Sequence, residues 1–327
     1  MNGGQTQREN IRMLAIGAAV QDVFLRGKIF TPKKSDPEYV EEFVLGSKNN
    51  VDGVMFGTGG GAVNASVTFA RQGLFSMFMG KVGDDIAGKE VLDGLHRENV
   101  DTSLVKVTKE HSTGFSCLLV APNGERTILT HRGASSHLEF KIEDFNDTEA
   151  DWMFITSFAG HFGYLRTVLD YAESKGMKVA MIPGKDELKQ IEKLKEILPR
   201  LEVVIANKNE LQMIYPGETL EELVREASKD VHYVCGTDGP NGAVATDRWH
   251  IVTAGMYEDV KVVDRTGAGD AFASGFVAMI ASGETLEWAI TYASANSTSV
   301  VKSIGTQEGI LYRDADVHEM PLIVKEL

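Results

Sequence analysis

The stretch DRTGAGDAFASGFVAMI, residues 264–280, sets two glycines and a carboxylate directly before an apolar run. From Ala271 to Ile280 only Ser274 is polar, which reads as a helix buried on most sides rather than a surface amphipath. A strand-like VKVV, residues 260–263, runs into Asp264, and the helix is expected to start near Ala268. The N–H groups of Gly267, Ala268, Gly269 and Asp270 then form a cup at a helix N-terminus, where free donors and the backbone dipole attract anions. A plainer reading stays open: glycines that allow a sharp turn, and an acid where the dipole favours one. A carboxylate beside an anion site is nevertheless awkward unless it has work to do, and a general base next to a transferring phosphoryl group has such work.

The bulk composition narrows the context. The chain has 327 residues, 43% of them hydrophobic, and a formal net charge of −14. Its longest Lys/Arg run is the pair Lys33–Lys34, so phosphate neutralisation along a nucleic acid is excluded as a function class. A phosphate site on so acidic a chain must be built locally, from backbone dipoles and a few cations. Cys117 and Cys235 stand far apart without CxxC spacing, which fits a reducing compartment and offers neither a disulfide framework nor a zinc site. The polar N-terminus has no apolar core, and no stretch approaches the roughly 18 apolar residues of a membrane span. The expectation is a soluble cytoplasmic protein with a flexible head over residues 1–11, one domain over 12–327, and no membrane or nucleic-acid partner.

Along the chain, MLAIGAAVQDVFL (13–25) reads as an opening strand, and residues 27–56 form a polar excursion. The segment 112–132 reads as two strands joined by PNGE, since Asn123-Gly124 is a strong hairpin signal. From residue 150 strands and helices alternate: a helix ends at Gly176, DELKQIEKLKEIL (186–198) carries Leu188, Ile191, Leu194 and Leu198 on one face, and EVVIAN (202–207) follows as a strand. Such βαβα order implies an α/β domain with a mainly parallel sheet and helices on both faces. The two stretches outside that order, about 22–56 and 112–132, are expected to form a lid.

Two further glycine turns carry candidates. Gly57 to Ala62 fits G-x-G-x-x-G/A, a weak dinucleotide signal in an unsuitable place. Gly59 and Gly60 serve better as a close backbone approach to a polyhydroxyl ligand, with Asn64 as donor and acceptor; a capped strand-to-helix turn would look the same. GTDGPNGA (236–243) on its own is a glycine hairpin. No G-x-x-x-x-G-K-[ST] occurs, so a P-loop is excluded.

Together these residues resemble the ribokinase-like, or PfkB, family of carbohydrate and nucleoside kinases, from about residue 12 to 310. DRTGAGDAFASGFV is similar to the family's D-T-x-G-A-G-D signature, GGGAVNASVTFARQG to its N-terminal G-G-x-x-x-N-x-A, NKNE (Asn207 to Glu210) to N-x-x-E, and Thr237 to Gly242 to T-x-G-x-x-G. The resemblance implies a three-layer α/β/α fold with a small β-sheet lid, and transfer of the γ-phosphate of ATP to a hydroxymethyl group of a sugar. A nucleoside kinase of the same fold is the alternative, and a non-catalytic binding protein a weaker one, since Asp270 is present.

By the same resemblance Gly267, Ala268 and Gly269 form the anion hole and Asp270 is the base. Asp22, Gly59, Gly60 and Asn64 bind the acceptor. Asn207 and Glu210 bring Mg²⁺ through water, and Thr237, Gly239, Gly242 and Asn296 bind the nucleotide. Asp264, Thr266, Ser303, Gly305 and Gln307 fall at the places of a K⁺ site, and the lid pairs two subunits into a homodimer. Arg265 departs from the signature, which has a small residue there; it reaches either the phosphates or solvent and a salt bridge. Phe115 is a candidate shelf for a nucleobase or part of a lid core, and His131 and Arg132 are expected to face the pocket, where an arginine suits an acidic or phosphorylated sugar.

Overall fold

The computed structural model describes residues 11–327; the expected head lies outside them but for Ile11. A nine-stranded sheet forms the centre. Phe75–Met79, Arg12–Ile16, Trp152–Ile155, Lys178–Met181, Val203–Asn207 and Tyr233–Thr237 run parallel in that spatial order. Ala243–Thr246, His250–Ala254 and Leu322–Glu326 then extend it by antiparallel pairings.

Alternation along each strand feeds two separate cores. Met13 and Ala15 pack with Phe69, Phe154 and Phe276 on one face, while Leu14 and Ile16 pack with Leu165, Leu211 and Leu223 on the other. Both faces are covered by helices, as a parallel sheet requires, and the result is the expected three-layer α/β/α arrangement. Helices Gly61–Arg71, Ala268–Ala281 and Leu286–Val300 lie on the first face. Phe162–Lys175 lies on the second and ends at Gly176, whose φ of 67° closes it.

A separate four-stranded sheet is built from Arg126–His131, Gly114–Val120, Val20–Arg26 and Gly53–Gly59, in that order. Its strands come from the two stretches that did not fit the βαβα pattern.

Three local readings are corrected. The opening apolar run is two strands in two different sheets, broken after Ile16. At Gly17 a Cβ would lie 1.9 Å from Thr156 Oγ1, so the chain turns where only backbone fits. Residues 260–263 are not a strand; the N–H groups of Val263 and Asp264 instead bond the carbonyl of Val301. The expected helix over 186–198 is two short ones, Lys185–Leu188 and Ile191–Ile197.

Candidate active site

The order of the central sheet reverses beside Arg12–Ile16: the chain goes first to Phe75–Met79 on one side and later to Trp152–Ile155 on the other. The crevice beyond the carboxyl ends of strands at such a point is where open α/β sheets bind ligands. A cavity of about 310 Å³ sits there, lined by Ala18, Gly61, Thr130, Arg132, Thr156 and Asp270 among others. A second, of about 180 Å³, is lined by Thr237, Gly239, Gly242, Tyr257, Ala268 and Gly269 among others. The first turn of helix Ala268–Ala281 belongs to both, presenting Asp270 to one and Ala268 and Gly269 to the other. Larger cavities of about 380, 690 and 760 Å³ include neither Asp270 nor that turn.

The turn is built by Gly267, with φ of 80° and no room for a side chain: a Cβ would stand 2.9 Å from the Thr306 Cα. The N–H of Ala268 leans on the Arg265 carbonyl at 3.3 Å, leaving those of Gly269 and Asp270 as first-turn donors that the helix does not use. Burial raises the Asp270 pKa above the ordinary carboxylate value, and the Asn64 hydrogen bond opposes this. Asn64 Nδ2 donates to Asp270 Oδ2 at 2.8 Å. A carboxylate with a raised pKa is the stronger base.

Asn64 itself is only 1% exposed, and its Oδ1 accepts from Thr306 Oγ1 at 2.9 Å and Gln307 Nε2 at 3.2 Å. Its Oδ1 is occupied and one Nδ2 hydrogen holds Asp270, which leaves the second Nδ2 hydrogen for the expected ligand contact. Asp22 is also enclosed. Burial, with the nearby charges of Asp270 and Asp264, pushes its pKa up to about 7 against the Ser116 hydroxyl bond. Gly59 makes that enclosure possible, since a Cβ there would fall 2.2 Å from Asp22 Oδ2. At Gly60, φ is 100° and a Cβ would fall 2.3 Å from the Ala18 carbonyl oxygen.

The nucleotide-side candidates divide. Thr237, Gly239 and Gly242 share the smaller cavity with the Ala268–Gly269 turn. Asn296 does not. Helix Leu286–Val300 faces that cavity with Ser294, Ser297 and Thr298, whereas Asn296 is fully buried, donating from Nδ2 to the Ala271 carbonyl and accepting the Leu311 N–H at Oδ1, both at 2.8 Å. It ties two helices and a loop together. Asn207 and Glu210 form a capping box: the Glu210 N–H bonds Asn207 Oδ1 at 3.0 Å and the Asn207 N–H bonds Glu210 Oε2 at 2.9 Å. Asn207 pairs in register with Thr237, at the start of the Thr237–Gly242 turn, and burial raises the Glu210 pKa.

Asp264 is fully buried. Oδ1 accepts the Thr266 N–H and hydroxyl at 2.9 and 2.7 Å, and Oδ2 accepts the Gly305 N–H at 3.3 Å. Ser303 lies two residues away on the same loop, its N–H on the Val300 carbonyl. Arg265 turns out to Glu125, Nε to Oε1 at 3.5 Å. Arg132 lines the larger of the two cavities and stands 3.7 Å from Asp186, whereas His131 is exposed beside Ser112. Phe115, 39% exposed, lies on a face of the small sheet that is not part of that cavity's lining.

Sequence reasoning missed Gly61, Thr156 and Glu187. A Cβ at Gly61 would lie 2.9 Å from Thr156 Cγ2 and 3.3 Å from Asp270 Oδ1. Glu187 is fully buried and accepts from Ser157 Oγ and from the N–H groups of Phe158, Gly160 and Gly184, at 2.8–2.9 Å; it shapes the wall carrying Ser157 and Gly184. Nothing in its local pattern distinguishes it from a solvated helix acid.

The chain belongs to the pfkB family of carbohydrate kinases, whose sequence pattern matches residues 36–312. It is an ATP-dependent carbohydrate kinase. A ribokinase of Schizosaccharomyces pombe is 27% identical over 319 residues, covering 92% of this chain and 95% of that protein. An ATP-dependent ribose-1-phosphate kinase of Halopiger xanaduensis is 30% identical over 239 residues, 72% of this chain and 78% of that protein. Among solved structures, the Arabidopsis thaliana ribokinase complexed with ribose and ATP superposes with a TM-score of 0.75 at 19% identity, over 93% of this chain and 96% of that one. Among the described residues no helix is long and apolar enough to cross a membrane.

Two outcomes follow. Because the Asp22 pKa is raised in the folded state, the native chain holds a proton that the unfolded chain releases, so its contribution falls as pH rises from about 4 to about 7 and is flat above. Denaturation of Asp22→Asn across that window should show a shallower loss of stability than wild type; parallel curves would refute the assignment. Asn296→Ala should lower stability by about 1–3 kcal/mol in urea, through two buried groups left unpaired, with the KM for ATP unchanged; a large KM rise at intact stability would restore Asn296 as a ligand.

Proposed function

We propose that the chain moves the γ-phosphoryl group of ATP to a hydroxymethyl oxygen of a sugar, with Asp270 as general base. The observation that carries this reading is the shared first turn: one helix N-terminus offers Gly269 to the nucleotide-side cavity and Asp270 to the other. Asp270 takes the hydroxyl proton, the freed oxygen attacks the γ-phosphorus, the bond to the β-phosphate oxygen breaks, and ADP leaves. The free N–H groups of Gly269 and Asp270, aimed by the Gly267–Ala268 turn, meet the negative charge that spreads over the phosphoryl oxygens, which is the main catalytic demand of this transfer. Asn64 holds the base in line. By the family resemblance Asp22, Gly59 and Gly60 also serve the acceptor, although none of the three lines the cavity that Asp270 lines.

A free sugar suits the acceptor cavity better than a nucleoside. At about 310 Å³ it is lined by Thr130, Ser135, Thr156 and Ser157 hydroxyls, and no aromatic side chain is in its lining to stack a base. Thr237, Gly239 and Gly242 hold the nucleotide. Mg²⁺, when bound, neutralises phosphate charge; Asn207 and Glu210 fit it as oxygen donors acting through water, and no cluster of three acids, histidines or cysteines competes among the described residues. Buried Asp264, meeting only neutral donors, fits a monovalent cation such as K⁺, with Thr266, Ser303 and Gly305 beside it. The small sheet acts as the lid, and its exposed Val54, Phe56, Phe115 and Leu129 support a homodimer through that sheet.

ADP release should appear with one class of sugar in a panel of aldoses, ketoses, acidic sugars and nucleosides. Asp270→Asn should lower kcat by about 10²–10⁴-fold or more while retaining the nucleotide-induced rise in melting temperature. Turnover on nucleosides alone would overturn the sugar reading, and activity surviving the substitution would overturn the base. Light scattering should give a dimer that Phe56→Asp converts to monomer; a wild-type monomer would remove the homodimer.

A further inference from the structure

The tip of the hairpin, Pro122 to Glu125, closes over a cavity of about 380 Å³ that shares no lining residue with either cavity of the active site. Its walls come from the end of strand Val20–Arg26, the hairpin turn, and residues 261–263 with Ile304. Asp22, Phe24 and Arg26 alternate onto one face of the small sheet. Phe24 packs with Leu118, Val120, Met55 and Ile304 into a small apolar cluster, which stands between the acidic end of that face and the basic one.

Arg26, Lys28 and Lys261 all line this cavity, and none has an ion-pair partner among the described residues. Asp52 is the one carboxylate in the lining, and its Oδ2 already accepts the Lys28 backbone N–H at 3.1 Å. Three cations around one hollow repel each other, in a chain whose net charge is −14; an anion of two or more charges turns that repulsion into attraction. The volume lies within the range of small-molecule sites.

The geometry points to a second anion site, separate from the Gly267–Asp270 turn, that takes a small phosphate-bearing molecule. Its position joins two parts of the active site. A Cβ at Gly124 would lie 3.3 and 3.4 Å from the carbonyl oxygens of Val262 and Val263, and two residues further on Arg265 meets Glu125. An occupant therefore bears on both the hairpin and the segment that leads into the anion hole.

Calorimetric titration of inorganic phosphate, pyrophosphate and a sugar monophosphate into the full chain tests this, with the catalytic turn saturated by Mg²⁺ and a non-hydrolysable ATP analogue. Wild type should bind one equivalent of at least one of these. Lys28→Gln/Lys261→Gln should bind it at least about tenfold more weakly, with analogue affinity and melting temperature in chloride no lower than wild type. Tighter binding of the organic phosphate would mark a metabolite as the source, and tighter binding of the inorganic ions a free phosphate. Absence of heat once the analogue is bound, equal affinity in the double variant, or sulfate binding as tightly as pyrophosphate would each overturn the site.

Discussion

The hydrogen bond from Asn64 to Asp270 joins residues 206 positions apart, and the geometry of the site rests on it. It requires helix Gly61–Arg71 and helix Ala268–Ala281 to lie in contact, while Gly275 on the second helix gives its room to Tyr292 and Asn296 of helix Leu286–Val300. Ser274 Oγ adds a bond of 2.8 Å to Thr68 Oγ1 one turn deeper. With the two helices locked, the Thr306–Gln307 loop is held against Asn64 from the other side. A carboxylate whose direction is fixed in this way needs no reorganisation to serve as the base proposed above.

Three carboxylates, Asp22, Asp264 and Asp270, stand near one another in a chain that is already acidic, and their charges oppose each other. The fold answers each separately. Asp264 is met by two N–H groups and a hydroxyl, Asp270 by an amide, and Asp22 by the Ser116 hydroxyl together with a pKa high enough to hold a proton near neutrality. Environment, rather than residue type, gives the three acids different partners, and burial raises the pKa of Asp22 and of Asp270.

The sequence carried the parts of this site that are local. The apolar run after Asp270 marked its helix, Asn123-Gly124 marked the hairpin, and the alternation after residue 150 marked the parallel sheet. What it could not carry was set by distant partners. The break at Gly17 depends on Thr156, more than a hundred residues away, and the apolar stretch around it shows only continuity. Asn296 looked like a ligand because an amide in a polar pattern offers both donor and acceptor; only the fold reveals that Ala271 and Leu311 use those groups, and that Thr306 and Gln307 occupy the oxygen of Asn64. Glu187 shows the reverse failure: its four donors come from two loops that local spacing does not bring together.

The crowding at Gly59, Gly60 and Gly61 bears on how such a site changes over generations. Each lacks space for even a methyl group, against Asp22, the Ala18 carbonyl and Thr156 respectively, so Gly61 in the cavity's lining, and Gly59 and Gly60 behind it in sequence, are closed to substitution. The opposite wall is Thr130 and Arg132, exposed residues at the edge of a separate sheet. Variation there leaves both main cores untouched. Substitution along the Thr130–Arg132 side can thus reshape the cavity without disturbing Gly61, Thr156 or Asp270.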